Sequence, residues 1–211
     1  MSITIRRENK KDYRVVEILT REAFWNLYVP GCSEHFVLHN LRQHCDFVSE
    51  LDFVAEQDGN ILGNIVFSRG FIENSKTKRT PVLCFGPVSV LPDFQNKGIG
   101  SGLINYTLNI ARSMKYPAVC IYGDPRYYCR FGFRCAEKYD IKTSDGKYAW
   151  ALLALELHSG ALINSAGRFM ESTAYTVNEK QLAEYEREFP HKEKAETESQ
   201  RLFQVMLSLR Y

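Results

Sequence analysis

The chain is short of the features that would assign it at once. Six cysteines are scattered through 211 residues, none of them in a CxxC pair. In the absence of an export signal they are expected to be reduced thiols, several packed in strands. The formal net charge is only +2, from 27 basic and 25 acidic residues, so no strong field draws the chain toward nucleic acid. The longest apolar run, YAWALLALEL, is far too short to span a bilayer. The opening MSITIRRENKKDY has neither an apolar core nor a small-residue cleavage site, so the expectation is a soluble, cytoplasmic protein. Repeats and low-complexity tracts are absent. What is present is 45% hydrophobic and 13% aromatic residues, enough to bury a core in one domain with an appendage and too much for disorder.

One pattern resembles a metal site: Cys32, His35, His39 and His44 within CSEHFVLHNLRQHC. His35 and His39 would share a helix face, as zinc ligands do. No carboxylate base lies between them and no second pair follows, so the expected reading is the polar side of a helix whose apolar side is Phe36, Val37 and Leu41. No metal is expected.

Periodicity gives the order of elements. ITIRREN alternates as a first strand, and Asn9 is placed to cap a helix carrying Val15, Val16, Leu19 and Ala23. Ser33 would cap a second helix reaching about Cys45. LDFVAEQDGNILGNIVFSRGF reads as a hairpin turning at Asp58-Gly59, and TPVLCFGPVSVLP as a long strand with a bulge or break at Gly86-Pro87. A helix follows with Ile99, Leu103, Ile110 and Met114 on one side and Ile104, Leu108 and Ala111 beside them, a stripe wide enough to pack on a sheet. Then come a buried strand YPAVCIYG, a short helix opening at the proline of DPRYYCRF, and a last strand in YAWALLALEL. Beyond His158 the pattern changes. A strand is allowed in ALINSAGRFMESTAYTV, and two helices open on capping-box pairs, Asn178 with Gln181 and Thr197 with Gln200. PHKEKAE between them reads as a solvated, charged linker.

The chemically informative stretch is QNKGIGSG, Gln95 to Gly102, where alternate glycines lie between a β-branched strand and a helix. A P-loop needs GxxxxGK with Ser or Thr, which is missing. A dinucleotide fingerprint needs glycine where Leu103 stands, and needs it near the first strand of its unit. A third kind of loop holds the pyrophosphate of coenzyme A on consecutive backbone N–H groups with a helix N-terminus behind them. Gly98 and Gly100 would let that ligand approach the backbone, and Lys97 adds positive charge.

VSVLPDFQNKGIGSGLI resembles the acetyl-CoA motif of the GNAT superfamily of N-acetyltransferases, V-x-P-x-x-Q/R-x-x-G-x-G/A, with Val90, Pro92, Gln95, Gly98 and Gly100 on its positions. A second landmark, a tyrosine in a short helix ending in Gly-Phe, matches YYCRFGF with Tyr128 on the tyrosine. The resemblance covers roughly residues 3 to 157, and GDPRYY is closest to a bacterial subgroup of acetyltransferases. It implies an α+β GNAT fold, a mostly antiparallel twisted sheet flanked by helices, with a domain at 1–157 and a C-terminal extension at 158–211 packing on it. It implies transfer of acetyl from acetyl-CoA to a primary amine of a small molecule or peptide. The cofactor would be held by Val88, Ser89, Val90, Gln95, Asn96, Lys97, Gly98, Ile99, Gly100 and Ser101. The Val88 N–H would face the thioester oxygen and Tyr128 would protonate the leaving thiolate, Tyr127 being the weaker choice. Asp124 stands where the family often has asparagine. For the general base Glu22, Glu73, Asp124 and a water relay all stay open. Trp25, Tyr28 and Phe36 are candidates for substrate contact. The extension has two roles open to it, closing over the cleft or holding a homodimer together. A non-catalytic acyl-CoA-binding module is the alternative to an enzyme.

Overall fold

The computed structural model describes residues 2–211, and its sheet runs in the order β1-β2-β3-β4-β5-β8-β6, with β9 on β3 and β7 on β9. The first strand, β1 (Thr4–Arg7), pairs antiparallel with β2 (Phe53–Gln57), and β2 with β3 (Asn60–Glu73). Asp58 and Gly59 close that hairpin with φ of 53° and 80°, the left-handed pair that a two-residue turn between twisted strands requires. The long antiparallel pair of β3 with β4 (Arg79–Val90) shifts register between Ile65 and Phe67, opposite Gly86-Pro87, where the sequence marks an irregularity.

Helices cover both faces. On one side α3 (Ile99–Ser113) buries Leu103, Ile104, Leu108 and Ala111 against strand residues such as Phe53, Ala55 and Leu83. On the other, α1 (Tyr13–Phe24) and α2 (Glu34–Leu41) bring Val16, Leu19, Leu38 and Leu41 onto Val54 and Val66. Alternation along β2 thus sends Phe53 and Ala55 to one layer and Val54 to the other, which is why the strand is apolar on both faces. Each such side chain withdrawn from water contributes about 1.5–3 kcal/mol.

Several sequence expectations are corrected here. Asn9 opens a short 3-10 turn (Lys10–Asp12) ahead of α1 rather than α1 itself, and its N–H donates to Asp12 Oδ2 at 2.9 Å. α2 stops at Leu41, not Cys45, because the chain tightens as His44 N–H turns back to Leu41 O and Phe47 then bridges to Ser68. Ser33 makes no side-chain cap, and its own N–H is taken by Glu34 Oε2 at 2.9 Å.

The remaining strands are β5 (Ala118–Tyr122), β6 (Arg134–Cys135), β7 (Ile141–Lys142), β8 (Leu152–Glu156) and β9 (Gly167–Met170). The short α4 (Pro125–Tyr128) follows β5. β9 continues the sheet, Phe71 facing Met170, and its Phe169 is 1% exposed in the main core. Asn178 caps α5 (Glu179–Glu186) as expected, accepting from the N–H groups of Lys180 and Gln181. Thr197 forms no such box at α6 (Glu198–Ser208): its hydroxyl and the Gln200 amide both donate to Asn26 O instead. The segment between these helices is not simply solvated. Glu193 O accepts from Trp25 Nε1 at 2.9 Å, Pro190 O accepts from Arg21 at 3.1 Å, and Lys192 pairs with Glu22. Among the described residues no helix is long and apolar enough to cross a membrane.

Candidate active site

The site begins where two strands part. β5 meets β4 in parallel register only at Leu83 and Val119, then stays with β8 from Ala118 to Tyr122. From Gly86 to Val90, β4 therefore has β3 on one side and a gap on the other. Leu91 donates its N–H to Leu62 O at 2.9 Å, toward the β3 side. By the two-residue alternation of a strand, the N–H groups of Val88 and Val90 point the opposite way, into the gap. Val90 O on that side accepts from Gln95 Nε2 at 3.1 Å. The Ser89 side chain turns inward, 2.9 Å from Thr20 Oγ1 and 3.0 Å from Asn64 Oδ1, and its main-chain groups face β3 like those of Leu91, so Ser89 offers neither to the gap.

The glycine loop closes one end. Asn96 and Gly98 have φ of 60° and 84°, a tight turn that leads directly into α3. The first intrahelical bond there runs from Gly102 N–H to Gly98 O at 2.8 Å, which leaves the N–H groups of Ile99, Gly100 and Ser101 at the helix start. A Cβ on Gly100 would meet only Tyr127 Oη at 3.5 Å and Val90 Cγ2 at 3.6 Å. The fold accommodates a methyl there, and the glycine keeps the approach open. Lys97 is turned away, its ammonium donating to Asp93 O at 2.9 Å. A different cation, Arg130, lines the cleft, with its guanidinium 4.7 Å over the Tyr127 ring. This geometry suits an anion with phosphate-like oxygens.

Opposite the free strand edge stands Tyr128. Its ring packs on Phe85 and Phe133 at centroid distances of 5.9 and 5.8 Å. It lies so close over Gly123 that a Cβ on that residue would come within 2.4 Å of the ring. Burial, with Tyr28 and Tyr127 nearby, pushes its phenol well above the usual range and keeps it protonated. Asp124 caps α4, accepting from Arg126 N–H at 2.8 Å and pairing with the Arg126 guanidinium at 2.7 Å.

These parts share a cleft of ≈ 920 Å³, within the range of about 300–1,000 Å³ usual for ligand sites. It brings together Val88, Ser89, Val90, Gln95, Asn96, Gly98, Ile99, Gly100, Ser101 and Tyr128. Tyr28 reaches it as well, stacked on Phe203 of α6 at 4.4 Å. Three expected residues lie elsewhere. Besides Lys97, Trp25 is held by its bond to Glu193 O and by Arg21 over its ring, and Phe36 is buried against Tyr185. Of the acids considered from sequence, Glu22 is paired with Lys192 and Glu73 with Arg79. The histidines do not converge: His35 lies 3.5 Å from Cys32 Sγ, His39 is 3.0 Å from Glu17, and His44 is 3.1 Å from Thr173.

Sequence reasoning misses the far wall. Glu34, Glu171 and Tyr175 line the cleft together with Leu202, Phe203 and Met206 of α6. Burial raises the carboxyl of Glu34, and desolvation raises that of Glu171 to about 6. Tyr175 donates its hydroxyl to Gly86 O at 3.2 Å. No local motif announces any of these positions.

The profile of the acetyltransferase (GNAT) domain family matches residues 49–135, the stretch from just before β2 to the end of β6, which contains the strand gap, the glycine loop and Tyr128. By sequence, this stretch is similar to the GNAT acetyltransferase family. Relatives of the chain include the N-acetyltransferase YhbS of Escherichia coli K12, 27% identical over 139 residues that cover 65% of this chain and 77% of YhbS. The crystal structure of Escherichia coli YhbS in complex with CoA shares the fold, with a TM-score of 0.73 at 24% identity over 83% of this chain and 92% of that one. A GNAT family acetyltransferase from Brucella melitensis, solved in complex with acetyl-CoA, is 27% identical with a TM-score of 0.66, over 82% of this chain and 98% of that one. The far wall of the cleft, from Glu171 to α6, lies outside the matched stretch.

Proposed function

We propose that the chain is an acetyl-CoA-dependent N-acetyltransferase that passes the acetyl group to a primary amine of a small molecule or peptide by direct attack on the thioester. One observation carries this reading: the free edge of β4, the glycine-opened start of α3 and the Tyr128 phenol all face one cleft. The relatives solved with CoA and acetyl-CoA support the same ligand here.

Acetyl-CoA supplies the activated acetyl as a thioester. The N–H groups of Ile99, Gly100 and Ser101, with Arg130 beside them, bind the pyrophosphate. The main chain of Val88 to Val90 pairs with the amide-bearing arm as an added strand would. The Val88 N–H donates to the thioester oxygen, whose negative charge grows as the amine attacks. A fixed donor of this kind is worth about 3–4 kcal/mol of barrier. As the C–N bond forms and the C–S bond breaks, Tyr128 gives its proton to the departing sulfur. In this scheme residues 1–157 carry the transfer chemistry, and 158–211 form the extension that closes the acceptor side.

The test is release of free thiol from acetyl-CoA against a panel of amines, polyamines, amino acids and peptides, with acetyl-CoA affinity measured by calorimetry. Amine-dependent thiol release is the expected result. Tight binding with no release for any amine would replace this reading with a non-catalytic acyl-CoA-binding module.

A further inference from the structure

Glu171 takes no part in the scheme above, yet it sits on the acceptor side of the same space. It directly follows β9, at the start of a segment that ends at Tyr175, whose hydroxyl holds Gly86 O just ahead of Pro87 and Val88. The segment is thus fixed beside the free strand edge. Glu171 also lines a second cavity of ≈ 350 Å³ under α6, which shares Tyr122, Ala151, Met206 and Leu207 with the main cleft. Glu171 thus stands where the two spaces adjoin, and beyond the shared residues the second one is lined by Thr143, Ser144, Asp145 and Arg210. Among the described residues its carboxylate has no hydrogen bond and no ion pair, in contrast to Asp124, Glu22 and Glu73. The shared walls are otherwise apolar or aromatic and carry no cation. Arg130 lies at the glycine-loop end of the cleft, and Arg210, at the far end of the second cavity, is paired with Asp145.

Building on the acetyltransferase reading, we propose that Glu171 is the general base of the transfer, and that the space beside it receives the ammonium of a primary amine whose apolar body lies against Leu202, Phe203 and Met206 of α6 in the main cleft. An ammonium is attracted to an unpaired carboxylate in apolar surroundings, and an anionic acceptor is repelled. Glu171 removes one proton from the ammonium, and the freed lone pair attacks the carbonyl carbon. Tyr128 protonates the departing sulfur, and the second N–H proton, lost as the amide forms, returns through solvent to the phenolate. Glu171 then gives its proton to water, so the balance is amide, free thiol and one proton released. The titratable groups facing Glu171 are Cys84 on β4, Tyr122 on β5 and Tyr175. Burial raises all three, so they are neutral where the enzyme works. Glu34 and Asp124 line the main cleft, and Asp145 with Arg210 line the second cavity. Glu171 as a residue is solvent-exposed, and the desolvation it meets from these walls raises its carboxyl to about 6, so above that pH the base is ionised.

The experiment measures thiol release by the full chain with hexylamine, phenethylamine, ethanolamine and glutamate between pH 5 and 8. The two apolar amines should be the best acceptors and glutamate the worst. For the best amine, kcat/KM should fall about tenfold per pH unit below the Glu171 pKa. Glu171→Gln should lower kcat by about a hundredfold or more and remove that acid limb, with acetyl-CoA affinity unchanged. Glu171→Asp should retain the limb at a reduced rate. Wild-type turnover with an unaltered Glu171→Gln profile, loss of the limb in Glu34→Gln instead, or loss of acetyl-CoA affinity in Glu171→Gln would each overturn this inference alone. A wild type that releases no thiol with any amine would overturn it together with the acetyltransferase reading.

Discussion

One wall of the cleft is made of backbone and the other of side chains. Along Val88 to Val90 and the first turn of α3, what faces the ligand space is a row of N–H groups, held by strand pairing with β3 and by the φ of 84° at Gly98. Across the cleft, Glu171, Tyr175 and the inner residues of α6 present carboxylate, phenol and apolar surface, held by packing between segments far apart in the chain. The backbone wall suits the invariant part of a reaction, a ligand arm and a developing oxyanion. The side-chain wall is where acceptor choice can change without disturbing the first.

The largest effect should come from closing the backbone wall. Gly100→Glu leaves room for the Cβ but sets a negative charge where an anion is to bind. Acetyl-CoA affinity should fall by about a thousandfold or more, at several kcal/mol for like charges in contact. Calorimetry on the folded variant reads this directly, and unchanged affinity would remove the loop from the binding site. Next in size is Tyr128→Phe, which keeps the ring on Phe85 and Phe133 and removes one oxygen. Acetyl-CoA affinity should stay constant and turnover fall by about a hundredfold, within the range for a lost general acid. Equal turnover would make Tyr128 a packing residue.

The docking of the C-terminal extension on α2 should reveal itself through stability against pH. His35 is fully buried on α2, 2.9 Å from Glu186 at the end of α5 and stacked on Tyr185. Burial holds its pKa down at about 4, against about 6.5 in an unfolded chain. As pH falls below about 6.5 the unfolded chain takes up a proton that the folded one refuses until about 4, so stability drops through that window. The contribution is about 2 kcal/mol at pH 5. The urea midpoint of the wild type should therefore fall more steeply than that of His35→Gln between pH 7 and 5. Parallel curves would show that the docking of α5 does not depend on a neutral His35. The smallest effect belongs to Gly123→Ala. The added Cβ forces the Tyr128 ring aside and should cost part of the Tyr128→Phe loss, about tenfold in turnover with cofactor affinity retained. An unchanged rate would mean that the ring position is not critical.

The same contrast explains what could be read from the sequence. Gly98, Gly100, Gln95 and Tyr128 lie within local motifs whose backbone demands are visible in a dozen residues, and the hairpin at Asp58-Gly59 is legible for the same reason. Lys97 misleads because its motif position fixes the backbone but not the side chain, which bends back to Asp93 O. Trp25 misleads because an aromatic near a cleft suggests a ligand contact, whereas its indole N–H holds the chain at Glu193. The pair Thr197 and Gln200 has capping-box spacing, but Asn26 O is a nearer partner for both. Glu171 carries no signal at all. Its chemistry arises only when β9 joins β3 and sets it beside a strand edge contributed by residues more than eighty positions earlier.

The parting of β4 from β5 also bears on how the molecule behaves in company. An unpaired strand edge is an invitation to other chains, and proteins commonly blunt such edges with charge, bulges or cover. Here the edge is turned inward, between the glycine loop and the Tyr128 ring. A strand from another molecule, with side chains alternately on both faces, is harder to seat there. A slender arm with amide groups and no side chains is easier. Ligand entry and strand-to-strand addition therefore compete for one and the same break in the sheet.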